Sequence, residues 1–143
     1  MSYTTQQHLE TRFGTKTLRD LTDRGTPPAG AIDAAVVAQA IADADAVIDG
    51  YLAGRYALPL TSLPPLLADL AAAIAFYKLH RQTPVEKVVR DYDQALSLLR
   101  DIARGQVMLP VAGTAPAQTT SGVSVITNNP HRPLKGGPMD GYI

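Results

Sequence analysis

The densest set of side chains able to do chemistry is an acidic run near the middle of the chain. Residues 43–50 contain three carboxylates, those of Asp43, Asp45 and Asp49. A calcium-binding loop between two helices needs glycine at its sixth position and glutamate at its twelfth. Counted from Asp43, those positions hold Ile48 and Gly54, and the run lies inside a helical repeat of apolar residues. We therefore interpret the three aspartates as a solvated helix face or as an ion-pair surface between subunits.

The three histidines are too scattered in the sequence to indicate a shared metal or catalytic site. His8, His80 and His131 belong to separate segments of the chain. His80 stands beside Lys78 and Arg81, a pattern that favours a cationic helix end over a metal or catalytic site. The pair His131 and Arg132 lies in the C-terminal part, where we expect contact with a partner rather than catalysis.

Other catalytic signals are missing from the sequence. The chain has no cysteine, which excludes a thiol nucleophile, a disulfide framework and a cysteine-based zinc site. No phosphate-binding glycine loop, serine-hydrolase elbow or zinc-protease motif occurs in the sequence. We expect a protein that is not an enzyme and that needs neither cofactor nor metal.

Charge gives a further limit on function. Thirteen basic residues balance thirteen acidic residues, so no global field attracts nucleic acid or an anionic membrane. A small helical DNA-binding regulator remains an alternative, and five cations could contact phosphates: Arg55, Lys78, Arg81, Lys87 and Arg90.

The N-terminal sequence lacks the order of a signal peptide, and no apolar stretch is long enough to span a bilayer. We expect a soluble protein made in the cytoplasm, with no membrane partner.

The elements that position these side chains are predicted to be helices. Residues 4–23 read as two short helices separated at Gly14, and Asp33 is a natural cap for a long helix over 34–53. A further helix follows Pro64 and runs to about residue 82, and the last runs to about Arg104 before Gly105. Thr83 and Glu86 have the spacing of a capping box at the start of that last helix. The fold class is all-α, a small bundle of about four main helices.

Composition changes after the last predicted helix. Residues 105–143 are rich in glycine, proline, threonine, serine and asparagine and show no helical period. Two β-prone runs, 107–111 and 123–127, are able to form a short hairpin or to extend a neighbour's sheet. We therefore divide the chain into a helical domain, residues 1–104, and an extended C-terminal assembly arm, residues 105–143. We also expect the core to close without any residue of the arm.

A set of motifs between Tyr3 and Gln106 is more specific than any single residue. It includes YTTQQHLETRFG, then IDGYLAGRYALPL over 48–60, PPLL over 64–67 and LLRDIARG over 98–105. In combination these resemble the phage Mu-type neck family of small helical proteins, found in Mu-like phages and prophages. The resemblance covers about three quarters of the chain and excludes the residues after Val107.

The resemblance implies a structural head–tail connector, or adaptor, in the neck of the virion. Such adaptors bind beneath the portal protein and form a ring, commonly of about twelve copies. The ring extends the DNA channel toward the head-closure (stopper) protein or the tail terminator, and genomic DNA passes through it without sequence-specific contact. The resemblance implies no enzymatic activity or cofactor. A tail-terminator or other virion accessory protein is the alternative within the same class.

Several residues are candidates for contact between subunits or with neighbours. Arg55 and Tyr56 belong to the central motif and are residue types enriched at interfaces. Arg100 and Arg104 offer cationic partners for the acidic face. At the chain end, Tyr142 and Ile143 are expected to dock on a partner. The full set is Asp43, Asp45, Asp49, Arg55, Tyr56, Arg100, Arg104, His131, Arg132, Tyr142 and Ile143.

Overall fold

A computed structural model describes residues 1–111, which form five helices and no strand. In chain order these are α1 (Gln6–Phe13), α2 (Thr15–Thr22), α3 (Ala34–Leu52), α4 (Pro65–Leu79) and α5 (Glu86–Arg104). Helices α3, α4 and α5 pack on one another, and α1 packs across α3 and α4. The all-α bundle predicted from the sequence is confirmed. The predicted run 123–127 lies outside the described residues, and residues 107–111 form no strand.

Helix α4 is the centre of the bundle because it is apolar on nearly all sides, which is the pattern of a fully surrounded helix. Its buried residues are Leu67, Leu70, Ala71, Ala72, Ile74, Ala75, Phe76 and Leu79. Three of these eight are alanines, whose small side chains let the neighbouring helices approach closely. The core is completed from α3 by Val37, Ala40, Ala44, Ile48 and Leu52, and from α5 by Val88, Ala95, Leu99 and Ile102.

The two short helices are joined to the bundle by polar and aromatic contacts. Arg12 on α1 donates a hydrogen bond to Asp69 on α4 at 2.9 Å, and the ring of Phe13 stacks on Phe76 with centroids 3.8 Å apart. Gly14 separates α1 from α2 at a φ of 91°, a conformation that glycine adopts without steric cost. The break predicted at Gly14 is confirmed.

Caps at the other helix ends follow local chemistry. The side chain of Asp33 accepts hydrogen bonds from the backbone of Ala35 and Val36, as predicted for an N-cap. Gly105 ends α5 in the left-handed conformation, with φ 80° and ψ 12°, also as predicted. The peptide bonds before Pro27 and Pro59 are cis.

Two predicted boundaries around residue 80 are wrong. Helix α4 ends at Leu79 rather than at residue 82, and the Leu79 carbonyl accepts a hydrogen bond from Arg24 at 2.9 Å. The predicted capping box at Thr83 does not form, because α5 begins only at Glu86 and its N-cap Val85 makes no side-chain bond. Glu86 instead accepts from Arg90, one turn ahead on α5, at 2.8 Å.

The segment after α5 contributes to the core. Leu109 and Val111 are 7% and 8% exposed and lie within the main cluster of buried residues. The expectation that the core closes without any residue of the arm is therefore wrong for these two side chains. The physical reason is that Gly105 turns the chain back toward the helices, which lets the apolar residues of 106–111 leave water.

Candidate functional site

Two of the three predicted interface aspartates are engaged within the chain. Asp45 Oδ1 accepts a hydrogen bond from the backbone N–H of Tyr3 at 2.9 Å, and Asp49 Oδ1 accepts from the hydroxyl of Tyr3. Asp45 and Asp49 lie one turn apart on α3, so both reach the same residue. Asp43 is exposed and accepts from Gln39 at 2.9 Å. An inter-subunit function of the acidic face stays a prediction, and Asp43 is the aspartate most available for it.

The N-terminal segment is fixed by these contacts, which sequence reasoning missed. Tyr3 is 1% exposed although it precedes the first helix. Burial and the hydrogen bond to Asp49 raise the pKa of the Tyr3 hydroxyl above its ordinary value. A tyrosine at the third position of a polar segment has no helical period that would predict its burial. The available signal in the sequence is the spacing of two carboxylates one turn apart on α3, which are able to bind one common donor residue.

Arg55 and Tyr56 lie at the junction between the end of α3 and the segment after α5. The Tyr56 hydroxyl accepts a hydrogen bond from the backbone N–H of Leu109 at 3.1 Å, and Tyr56 is 4% exposed. Tyr56 is predicted from its residue type to contact a partner, but its hydroxyl is bonded inside the subunit. The guanidinium of Arg55 covers Gly105, and one of its nitrogens lies 4.0 Å from the sulfur of Met108. Its Nε is buried without a hydrogen-bond partner among the described residues.

Arg100 and Arg104 remain at the surface. Both are exposed on α5, and within residues 1–111 neither forms an ion pair. Earlier cations of the same helix differ, since Lys87 pairs with Asp91 at 2.7 Å and Arg90 pairs with Glu86 at 2.8 Å. The C-terminal end of α5 is therefore the part of this helix where cations form no ion pair within the described residues.

Three tyrosines from different helices lie at the edge of the core. Tyr51, Tyr77 and Tyr92 come from α3, α4 and α5 and are each partly buried. The rings of Tyr77 and Tyr92 stack with centroids 3.9 Å apart and an angle of 7° between their planes. Each tyrosine belongs to the apolar repeat of its own helix, but such a repeat does not indicate that the three helices bring the residues together.

The remaining predicted interface residues are outside the described part of the chain. They are His131, Arg132, Tyr142 and Ile143. Among residues 1–111, no three histidine, aspartate or glutamate side chains come together in a way that suits a metal ion. No helix in that range combines the length and apolar character needed to cross a bilayer.

Comparison with known proteins identifies the family. The model of the family described as "Bacteriophage Mu, Gp36" matches residues 3–127. The chain is 32% identical over 143 residues to "Gene product J" of Escherichia phage Mu, covering all of both chains. It is 33% identical over 107 residues to "Mu-like prophage FluMu protein gp36" of Haemophilus influenzae, covering 75% of this chain and 74% of that protein. These matches confirm the resemblance to Mu-like phage proteins, and by their extent the chain belongs to the bacteriophage Mu Gp36 family.

Proposed function

We propose that this chain is a structural head–tail connector of a tailed phage particle. It forms a ring below the portal, joins the capsid to the neck and tail, and extends the DNA channel without catalysing a reaction. The observation that carries the proposal is the alignment with a phage Mu protein over the whole length of both chains. The similarity therefore includes the Gly- and Pro-rich C-terminal residues as well as the helical domain.

The surface of the helical domain supports assembly. Val85 and Met108 are 68% and 56% exposed, so apolar area is available for contact with other copies or neighbours. The unpaired cations Arg100 and Arg104 offer charged groups that steer association and set its register. An abundance of alanine in the core limits the apolar area buried in one subunit, and contact between subunits adds to it.

The charge distribution favours a channel component over a DNA-binding regulator. Lys87 and Arg90 are each neutralised by an acidic residue one turn away. Affinity for duplex DNA rests largely on several phosphate contacts, and a dense basic lining would retard a genome that must pass through. A salt-dependent gel shift on short duplexes distinguishes the two classes, since a regulator binds specifically and a connector does not.

The decisive experiment locates the protein in the intact particle and counts its copies. We expect electron cryo-microscopy of purified particles to place the chain between portal and tail in a closed ring. A position at the tail end of the neck would support the tail-terminator alternative instead, and absence from the particle would reject the virion role.

A matched pair of variants tests how the ring forms. Arg100→Gln together with Arg104→Gln removes two unpaired cations of α5, and we expect it to lower the yield of rings in native mass spectrometry. The control, Lys16→Gln together with Arg81→Gln, makes the same change of charge at exposed positions on other elements. Equal ring yield from both variants would show that Arg100 and Arg104 are not part of the interface between subunits.

A further inference from the structure

The edge formed by α3, α4 and α5 carries a tyrosine patch, defined as Tyr51, Tyr77 and Tyr92. The rings of Tyr77 and Tyr92 stack with centroids 3.9 Å apart, and Tyr51 packs against the same edge of the core. Burial, followed by these two neighbours and Asp93, raises the pKa of Tyr92. All of these influences keep its hydroxyl protonated, and a protonated phenol is a hydrogen-bond donor.

The patch has hydrogen-bonding capacity that the described part of the chain does not use. None of its three hydroxyls bonds to another group within residues 1–111, and none is wholly enclosed. The other two tyrosines of that range behave differently, because Tyr3 bonds to Asp49 and Tyr56 bonds to Leu109. Tyrosine is enriched at interfaces, where its ring packs on a partner and its hydroxyl forms a hydrogen bond. Three unused hydroxyls on adjacent helices indicate a surface that binds something.

A carboxylate beside the patch indicates the charge of the bound group. Asp93 is exposed and has no ion-pair partner among the described residues. Its neighbours on α5 are compensated, since Asp91 pairs with Lys87 and Glu86 pairs with Arg90. Aromatic rings, phenol donors and a free carboxylate together suit an extended proline-rich segment with positive charge, whose carbonyl groups accept hydrogen bonds.

The chain itself contains such a segment. Residues 130–135 read Pro-His-Arg-Pro-Leu-Lys, a P-x-x-P pattern with Arg132 inside it and Lys135 just after it. We propose that this segment docks on the tyrosine patch of its own chain, with the prolines against the aromatic rings and a cation near Asp93. The His131 and Arg132 pair, first interpreted as a partner contact, then belongs to an intramolecular one.

The position of the last described residues makes this geometry accessible. Val111 is buried, and Leu109 is bonded to Tyr56, five residues after Tyr51. A chain as long as residues 112–129 has a root-mean-square span of roughly 20–25 Å when unstructured. A helical domain of this size has a radius of gyration of about 13 Å, so the segment reaches the patch. Tethering also gives it an effective concentration near the millimolar range, which favours the chain's own segment over that of another copy.

Disulfide trapping in the full-length protein tests the proposal, because the chain has no native cysteine. Val89 lies three residues before Tyr92 and shares its side of α5. The variant Val89→Cys with Leu134→Cys is expected to form an intramolecular disulfide at least about fivefold faster than Lys16→Cys with Leu134→Cys. Residue 16 is exposed on α2, which packs mainly on α1 rather than on the three helices that carry the patch. Equal rates, or a covalent dimer as the main product, would overturn docking on the same chain.

Two further changes separate specific docking from chance encounters. In the Val89→Cys and Leu134→Cys background, Pro130→Ala with Pro133→Ala should reduce the rate to that of the control. Tyr77→Phe with Tyr92→Phe keeps the rings and removes two hydroxyls, and it should also slow trapping. Unchanged rates in either variant would reject the recognition described, provided that circular dichroism shows an intact fold. The measurement needs no other phage protein, so its failure would leave the connector proposal in place.

Discussion

The two ends of the described chain are fastened to the same helical bundle by different chemistry. At the N-terminal end, Tyr3 is bound through polar groups, its backbone N–H to Asp45 and its hydroxyl to Asp49. At the other end, Leu109 and Val111 are buried among apolar residues, and one hydrogen bond from Leu109 to Tyr56 sets their position. One attachment depends mainly on carboxylates, and the other depends mainly on apolar area removed from water.

This difference indicates how each end responds to change. A polar attachment weakens when a proton or a charge is altered, because each hydrogen bond contributes only about 1 kcal/mol net. An apolar attachment is insensitive to pH but is lost when side-chain volume is removed.

Truncation measures the apolar attachment directly. Ending the chain at Gly105 removes Leu109 and Val111, and we expect the free energy of unfolding to fall by about 3–6 kcal/mol, since each buried aliphatic side chain contributes about 1.5–3 kcal/mol. Ending it at Val111 keeps both residues and should change the stability by less than about 1 kcal/mol. Urea denaturation followed by circular dichroism compares the two. Equal stability of the two truncated chains would show that residues 106–111 are not part of the core.

The hydrogen bond that positions the apolar segment has a smaller effect. Tyr56→Phe leaves the buried N–H of Leu109 without a partner, and we expect a loss of about 1–3 kcal/mol. With both variants made in the chain that ends at Val111, Tyr77→Phe is the matched control, because its hydroxyl makes no hydrogen bond within residues 1–111, and its effect should stay within about 0.5 kcal/mol. If both variants lose the same stability, the contact between Tyr56 and Leu109 does not contribute.

The turn that starts the apolar segment depends on glycine. Gly105 has a φ of 80°, and an added Cβ would lie 2.4 Å from the Arg55 guanidinium. Gly105→Ala is expected to cost about 1–2 kcal/mol for the left-handed backbone, and Arg55→Ala in the same chain should recover any part caused by the clash. Gly50→Ala is the control: Gly50 lies inside α3 with nothing within 4 Å of the added atom, so it should stabilise the protein by about 0.5–1 kcal/mol.

The polar attachment gives the smallest change and the only one that varies with pH. Tyr3→Phe removes the bond to Asp49, which should cost about 1 kcal/mol near neutral pH. The pKa of Tyr3 is raised in the folded protein above its ordinary value of 10.0. The unfolded chain therefore loses this proton first as the pH rises, and the stability from Tyr3 declines above about pH 10. Thermal melts of both proteins at pH 8 and pH 11 should show the difference between them narrowing, and a constant difference would contradict the assignment.

Helical periodicity and capping residues were sufficient to predict most of the bundle. The apolar repeats of α3 and α5, the cap at Asp33, the break at Gly14 and the turn at Gly105 all depend on neighbours within a few residues, and each is present in the structure. The start of α5 was predicted wrongly for a related reason. The local Thr83–Glu86 pattern predicts a capping box, but Val85 keeps an extended backbone and α5 begins only at Glu86.

The attachments of the two ends were not predictable in the same way. The bonds from Tyr3 to Asp45 and Asp49 join residues 42 and 46 positions apart, and the bond from Leu109 to Tyr56 joins residues 53 apart. Such contacts depend on how the helices pack, which no local repeat encodes. This is also why Tyr56, assigned to the surface by its residue type, is buried, and why the tyrosine patch could not be assembled from the sequence.

The bond between Tyr56 and Leu109 also determines where mechanical load enters the domain. A force applied to residues beyond Val111 reaches the bundle first at Val111, next at Leu109, and then at Tyr56, just after the end of α3. The segment 106–111 is held mainly by two apolar side chains, so it should peel away before any helix is extended. In single-molecule pulling from the C-terminus, we expect a short, low-force extension of roughly 20 Å for these six residues ahead of the main unfolding event. The domain would thereby yield a little under tension and keep its helices intact.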